Sequence, residues 1–353
     1  MIAAVRALRW LRLCVASLLL VCHCQSGWTQ ELAEPKRLAE GCALGAYIQL
    51  VDENGAWPEA AWRSLFADYQ KLGVKKLIIQ WSVYEHKAFY ASKHFASFET
   101  KPLETILTLA DAADLRVLVG LSHDPHYWIN IQDQDKRAYL LDRLRKNTKV
   151  AAELATLVSQ HKSFAGWYIS EEIDDINWQT PVARDALASY LQQTSAFLRV
   201  VSPPRTAIGI SGFANAKTPP KELEAFWSDL LGRVRALDRI YFQDGIGVGK
   251  LDLKNLDRYY QAIKNATTKA GRDFIPVVEV FKQTAGEPLT PGVFAAAPTE
   301  LPKLLQQLKI ARQYAAQPVV FGIAEYMTPG RGDAARALYN AYLDARQDCG
   351  QEP

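Results

Sequence analysis

The stretch FAGWYISEEIDD, Phe164 to Asp175, runs an apolar, aromatic segment straight into four carboxylates within five positions. Its residues alternate. Ala165, Trp167 and Ile169 form one apolar set, while Gly166, Tyr168, Ser170 and then Glu172 form the other. Strands of a closed barrel alternate in this way between a face packed under helices and a face turned to the axis. Charge enters only where the run ends, which puts Glu172 at a strand terminus on the axis side.

Outward from this segment, short β-branched or aromatic runs alternate with longer amphipathic ones. The strand candidates are 43–49, 76–82, 117–122, 164–170, 206–213, 239–243, 274–281 and 319–326, eight in all. Helical patterns cover 59–72, 102–113, 136–161, 184–201, 254–270 and 302–315. Such alternation implies right-handed βαβ crossovers and a parallel sheet. Eight units in about 300 residues predict an α/β fold, a single (β/α)8 TIM barrel. A doubly wound sheet would normally carry a Gly-rich phosphate turn after its first strand, and VDENGAW after Gln49 has none. With no internal repeat or low-complexity linker, residues 31–353 read as one domain. The loops 123–134 and 282–300 are long enough to shape a site.

The chain has 353 residues, 49% hydrophobic and 22% charged, with a net charge of +3. That is a globular balance, too weakly basic to imply nucleic acid as a partner. Arg6, Arg9 and Arg12 precede the apolar run Leu13–Cys22. A basic start followed by a short apolar core reads as a secretory signal peptide over residues 1–30, too short for a stable anchor. Cleavage is expected between Cys24 and Glu31, giving an exported, periplasmic or secreted protein with no membrane anchor. Of five cysteines, the mature chain then keeps Cys42 and Cys349, and an oxidising compartment favours a disulfide between them. Intact mass before and after alkylation without reductant tests that bridge.

Barrel enzymes collect their chemistry where strands end at the C-terminal face. Strand parity turns Tyr47, Gln49, Tyr168, Glu172, Ser211 and Glu279 to the axis. Gln80, Trp81, His123, Gln243, Asp244 and Tyr326 join them near strand ends, with Tyr127 and Trp128 from the following loop. Aromatic faces suit sugar C–H surfaces, and amide or hydroxyl tips suit sugar hydroxyls. Two carboxylates across such a pocket cleave glycosidic bonds, with retention at a separation of ~5–5.5 Å and inversion at ~6.5–9.5 Å. Glu172 and Glu279 end strands four and seven, nearly opposite in an eight-stranded ring. Glu172 is the expected acid/base and Glu279 the nucleophile; Glu171 enters as a helper that raises the Glu172 pKa by like-charge repulsion. A bulge at the strand end would exchange Glu171 and Glu172.

Glutamates ending strands four and seven resemble the large superfamily of retaining glycosidases. More closely, GAYIQL (45–50), GWYISEEI (166–173) and YFQDGIGVG (241–249) are similar to a bacterial group known as domain of unknown function 4434, a glycoside-hydrolase-like TIM barrel. The resemblance spans most of the mature chain and implies a polysaccharide or oligosaccharide substrate. It departs from the superfamily at strand four, where Ser170-Glu171 or Glu171-Glu172 stands in place of Asn-Glu. In the closer group the glutamate before Ile matches Glu172.

Other chemistries fare worse. His123, Asp124 and His126 lie together in SHDPHYW (122–128) without helical spacing to aim them at one metal, so neither a metal nor another cofactor is expected. Asp174 and Asp175 read as caps or solvated groups, Glu325 as outward and structural, and Tyr326 as an orienting partner for Glu279. No G-x-S-x-G elbow, Rossmann or P-loop fingerprint is present. Two rival functions remain: a non-catalytic carbohydrate-binding barrel accessory to exopolysaccharide export, and a lyase using Lys250, Lys282 or Arg331 on an acidic polysaccharide.

Overall fold

The computed structural model describes residues 43–132, 136–286 and 293–346. The expected signal peptide and the expected Cys42–Cys349 disulfide lie outside them. Eight parallel strands close into a barrel: β1 (Leu44–Ile48), β2 (Val74–Ile79), β3 (Arg116–Gly120), β4 (Phe164–Ile173), β5 (Ala207–Gly212), β6 (Arg239–Gln243), β7 (Asp273–Glu279) and β8 (Val319–Phe321). Each pairs with its neighbour in sequence, and β8 returns to β1 through Gly45↔Val319 and Ala46↔Val320.

A helix follows every strand: α1 (Glu59–Leu72), α2 (Pro102–Ala112), α3 (Lys136–Val158), α4 (Pro181–Val200), α5 (Pro220–Arg233), α6 (Leu253–Ala270), α7 (Leu301–Arg312) and α8 (Asp333–Arg346). Their ends follow local chemistry. Thr180 caps α4 by accepting from Ala183 N–H, ahead of Pro181 at the first helical position, and Asp252 caps α6 by accepting from Asn255 N–H. Gly73 stops α1 at φ 79°. The sequence reading lacks α5 and α8, although Leu223, Phe226, Trp227, Leu230 and Leu231 recur in α5 at helical spacing and are buried.

The strand faces sort as parity requires. Ala46, Ile48, Trp167, Ile169, Ile208 and Ile210 join the core under the helices. Tyr47, Ile78, Leu118, Tyr168, Tyr241 and Val277 fill the barrel axis, where Tyr47 and Tyr168 meet edge to face at 5.8 Å. Gly166, on the axis side of β4, lies against β5 so closely that a Cβ there would stand 2.2 Å from the Ala207 carbonyl oxygen. Gly166→Ala is therefore expected to cost ~1–3 kcal/mol through forced strand separation, read as a lower unfolding midpoint. A midpoint within a degree of the parent would contradict this.

Two strands depart from the expected bounds. β4 runs on to Ile173 and carries a bulge: Ile169 pairs with Ile210, then Glu172 with Ser211. Two residues, Ser170 and Glu171, are thus extra, so parity survives and Glu172 keeps the axis side. β8 is shorter than 319–326. It ends at Phe321, Gly322 turns the chain at φ 91°, and Ile323–Tyr326 coils into a helical turn whose Tyr326 N–H donates to the Gly322 carbonyl at 2.8 Å. Glu325 and Tyr326 consequently leave the strand pattern.

The long loops acquire structure that serves the barrel mouth. Ser122–His123 pairs in parallel with Val83–Tyr84, and Tyr127–Asn130 forms a helical turn. After β7, Phe281–Ala285 pairs antiparallel with Ala295–Pro298.

Candidate active site

A cavity of about 640 Å³ opens at the C-terminal ends of the strands. Glu172, from β4, and Glu279, from β7, both line it. The Glu172 Oε1 accepts from Gln243 Nε2 at 2.7 Å and from Gln80 Nε2 at 3.3 Å. Gln80 is oriented in turn by Gln49 Nε2, which donates to its Oε1 at 2.8 Å. Burial raises the Glu172 pKa, and the Gln243 hydrogen bond and the Lys250 charge oppose that rise. The Tyr127 hydroxyl donates to the Glu172 carbonyl at 2.6 Å, fixing the strand end.

Glu279 is only 3% exposed. Its Oε2 accepts from Val248 N–H at 3.1 Å. The loop after β6 can come this close because residue 247 is glycine: a Cβ there would lie 2.8 Å from the Glu279 Oε2. Asp244 stands behind Glu279, fully buried. Its Oδ1 accepts from the N–H groups of Ile246 (3.1 Å) and Glu279 itself (3.3 Å), and its Oδ2 from Gln307 Nε2 of α7 (2.6 Å). Gln307 Nε2 also reaches the Glu279 carbonyl at 3.2 Å. Burial raises both carboxyl pKa values, and the Asp244 charge raises that of Glu279 further.

That coupling has a testable sign. With both values raised, the folded state holds more protons than the unfolded chain, so stability falls as pH rises from the ordinary carboxylate range (about 4) through neutrality. Asp244→Asn keeps an acceptor for Ile246 and Glu279, and a rotated Gln307 can accept from the new amide. Its unfolding midpoint is expected to vary less with pH than the parent's over this window; an unchanged slope would remove the coupling.

Around the carboxylates the walls are aromatic. Trp81 stacks on His123 at 4.2 Å, and its indole N–H donates to the Leu50 carbonyl. Burial and the Arg143 charge push the His123 pKa down to about 4, so this platform is neutral at physiological pH. Trp128 meets Phe213 edge-on at 5.4 Å. Phe281, Phe294 and Phe321 close the opposite side. Asn215, Asp174 and Lys250 add polar groups.

The structure corrects several sequence expectations. Glu171 does not face the cavity. Its Oε1 accepts from Arg143 Nε at 2.8 Å and its Oε2 from the Tyr190 hydroxyl at 2.5 Å, with Asn147 Nδ2 at 3.3 and 3.4 Å. Arg143 also binds Ser122 through its carbonyl and hydroxyl. This carboxylate fastens β4 to α3 and α4, and it is not among the groups that shift Glu172. Tyr47, Tyr168 and Ser211 lie beneath the cavity, where both phenols bond the Ser211 hydroxyl at 2.9 and 2.6 Å. Asp244 sits behind Glu279 and away from the lining. Tyr326 packs on Phe281 at 5.2 Å and has no hydrogen bond to Glu279. Asp174 and Asp175 are buried, 4% and 2% exposed. Asp174 caps the Asn177 turn, and Asp175 holds Asn215 and Thr218. Asp124 fastens its own loop by accepting from His126 N–H, Asn130 and Tyr139. Lys282 is exposed on the hairpin, and Arg331 pairs with Glu53 at 2.7 Å. The sequence reading missed Asn215, Phe281, Phe294 and Phe321 as lining residues, and Asp174 as one.

Solved structures share this architecture. A Bacteroides thetaiotaomicron VPI-5482 protein described as a candidate alpha-L-fucosidase aligns with a TM-score of 0.71 and 21% identity, covering 88% of this chain and 96% of its own. A glucosidase from Croceicoccus marinus gives 0.53 at 10% identity over 88% of this chain and 68% of its own. A GH18 chitinase from Pseudoalteromonas aurantia gives 0.51 at 14% over 86% and 99%. At these identities the likeness is one of fold, an eight-stranded α/β barrel. In sequence, the uncharacterized protein YbcH of Escherichia coli (strain K12) is 28% identical over 282 residues, 76% of this chain and 88% of its own length. The model described as Domain of unknown function (DUF4434) matches residues 44–333, and the chain belongs to that family.

Proposed function

We propose that this barrel is a glycoside hydrolase acting on a polysaccharide or oligosaccharide. One observation carries the reading: the glutamates ending β4 and β7 line a single cavity. Glu172 protonates the glycosidic oxygen as general acid, and its burial supports a raised pKa for that task. Glu279 attacks the anomeric carbon if the enzyme is retaining, or activates water if it inverts. The backbone N–H of Val248 holds its Oε2 toward the cavity. Trp81 and Trp128 offer sugar-stacking faces, and Gln49, Gln80, Gln243 and Asn215 offer amide groups to hydroxyls.

A second assignment exchanges the two roles, favoured by the pressure of Asp244 on Glu279, which raises the very group a nucleophile needs ionised. Activated aryl glycosides separate the two. Their leaving group needs no proton, so the acid variant keeps turnover on them while the nucleophile variant does not. The basic test is reducing-end release from a polysaccharide panel by the parent and by both Gln variants. A protein that binds glycans but never releases reducing ends is a binding module instead.

A further inference from the structure

Lys250 ends the loop that follows β6 and lines the same cavity as Glu172 and Glu279. Its ammonium sits 3.6 Å from the centre of the Phe213 ring, a cation–π seat that fixes the head group. Yet among the described residues this side chain forms no ion pair and no hydrogen bond. The carboxylates whose fields reach it take their hydrogen bonds from neutral donors. Glu172 uses Gln243 and Gln80, Glu279 uses Val248 N–H, Asp174 uses Asn177, and Asp175 uses Asn215. Three N–H donors of a half-buried cation are left unused.

We propose that Lys250 selects an acidic sugar, its ammonium pairing with the carboxylate of a uronic-acid residue bound in the cavity. A neutral hydroxyl needs no cation, because amides already line the walls. A carboxylate does need one, since whichever of Glu172, Asp174 and Glu279 is ionised would otherwise repel it. Lys250 is the one Lys or Arg among the described lining residues. The inference rests on the glycan reading of the site and narrows its substrate class.

Calorimetric titration of the Glu172→Gln variant, whose turnover is expected to be slowed about a hundredfold or more, tests the pairing. The probes are tetragalacturonate, tetraglucuronate and tetramannuronate, each against its methyl ester, which neutralises the carboxylate at the cost of one added methyl group. At least one acid is expected to bind about tenfold or more tightly than its ester, as a charge-assisted hydrogen bond allows. Adding Lys250→Met should abolish that preference and Lys250→Arg should keep much of it, with unfolding midpoints confirming that each variant is folded. Esters binding as well as acids, a preference surviving Lys250→Met, or no acid binding at all would overturn the proposal. The hydrolase reading fails separately. Lys250-dependent acid binding without reducing-end release leaves the selectivity standing and removes catalysis, whereas release from neutral glycans alone does the reverse.

Discussion

Glu171→Gln is expected to lower the unfolding midpoint by roughly 6–20 °C, the largest stability effect of any change near the cavity. The Arg143 guanidinium and the Glu171 carboxylate are both 3% exposed and meet at 2.8 Å. Removing one charge of a buried pair strands the other, at a cost of ~3–5 kcal/mol, and a barrel of this size loses about 2–4 °C per kcal/mol. Glutamine keeps an acceptor for Asn147 and Tyr190, so the loss reports the charge and not the packing. The double variant Glu171→Gln/Arg143→Met should recover part of the drop, because no orphan cation remains. A Glu171→Gln midpoint within a degree or two of the parent would mean that the pair is not the fastening it resembles. Adjacent glutamates on one strand therefore do opposite work, one joining the barrel to its helices and the other facing its mouth.

This division was half legible in the sequence. The period-two alternation of Ala165, Trp167 and Ile169 against Tyr168 and Ser170 fixes which side each glutamate takes, and the bulge preserves the answer because it adds two residues and not one. Parity reports side, however, and not depth. Tyr47, Tyr168 and Ser211 are on the axis side yet a layer too low, closed off by their own hydroxyl contacts. Asp244 was open to the same argument: Tyr241 and Gln243 face the axis, so the next residue points out toward α7, where Gln307 meets it. Tyr326 failed for a different reason. Gly322 permits a positive φ that ends β8 early, and an apolar run alone does not show where a strand breaks. Lys250 and Asn215 stand on loops past the strand ends, where no periodicity constrains direction and only the folded backbone places them.

Glu172→Gln and Glu279→Gln are expected to separate activity from stability. Turnover on an unactivated glycan should fall by about 10²–10⁴-fold for loss of the general acid, and by at least as much for loss of the attacking carboxylate. Stability should hold or rise. Glutamine at 172 still accepts from Gln243 and Gln80, and glutamine at 279 still accepts from Val248 N–H, so neither change orphans a donor. Glu279→Gln goes further, because it removes a carboxyl held unfavourably beside Asp244. The folded-state pKa of Glu279 is raised, so the parent carries no penalty below the ordinary carboxylate range (about 4) and accrues one as pH climbs from there through neutrality, while the unfolded chain ionises and the folded carboxyl does not. The midpoint difference, variant minus parent, should therefore be near zero at acid pH and positive at mildly alkaline pH. A structural ion-pair partner would give the contrary pattern, a drop of several degrees that persists at neutral pH. Equal activity in parent and both variants, with either pattern of stability, would sink the hydrolase reading, whereas lost activity with gained stability is the mark of carboxylates kept for chemistry at the expense of the fold.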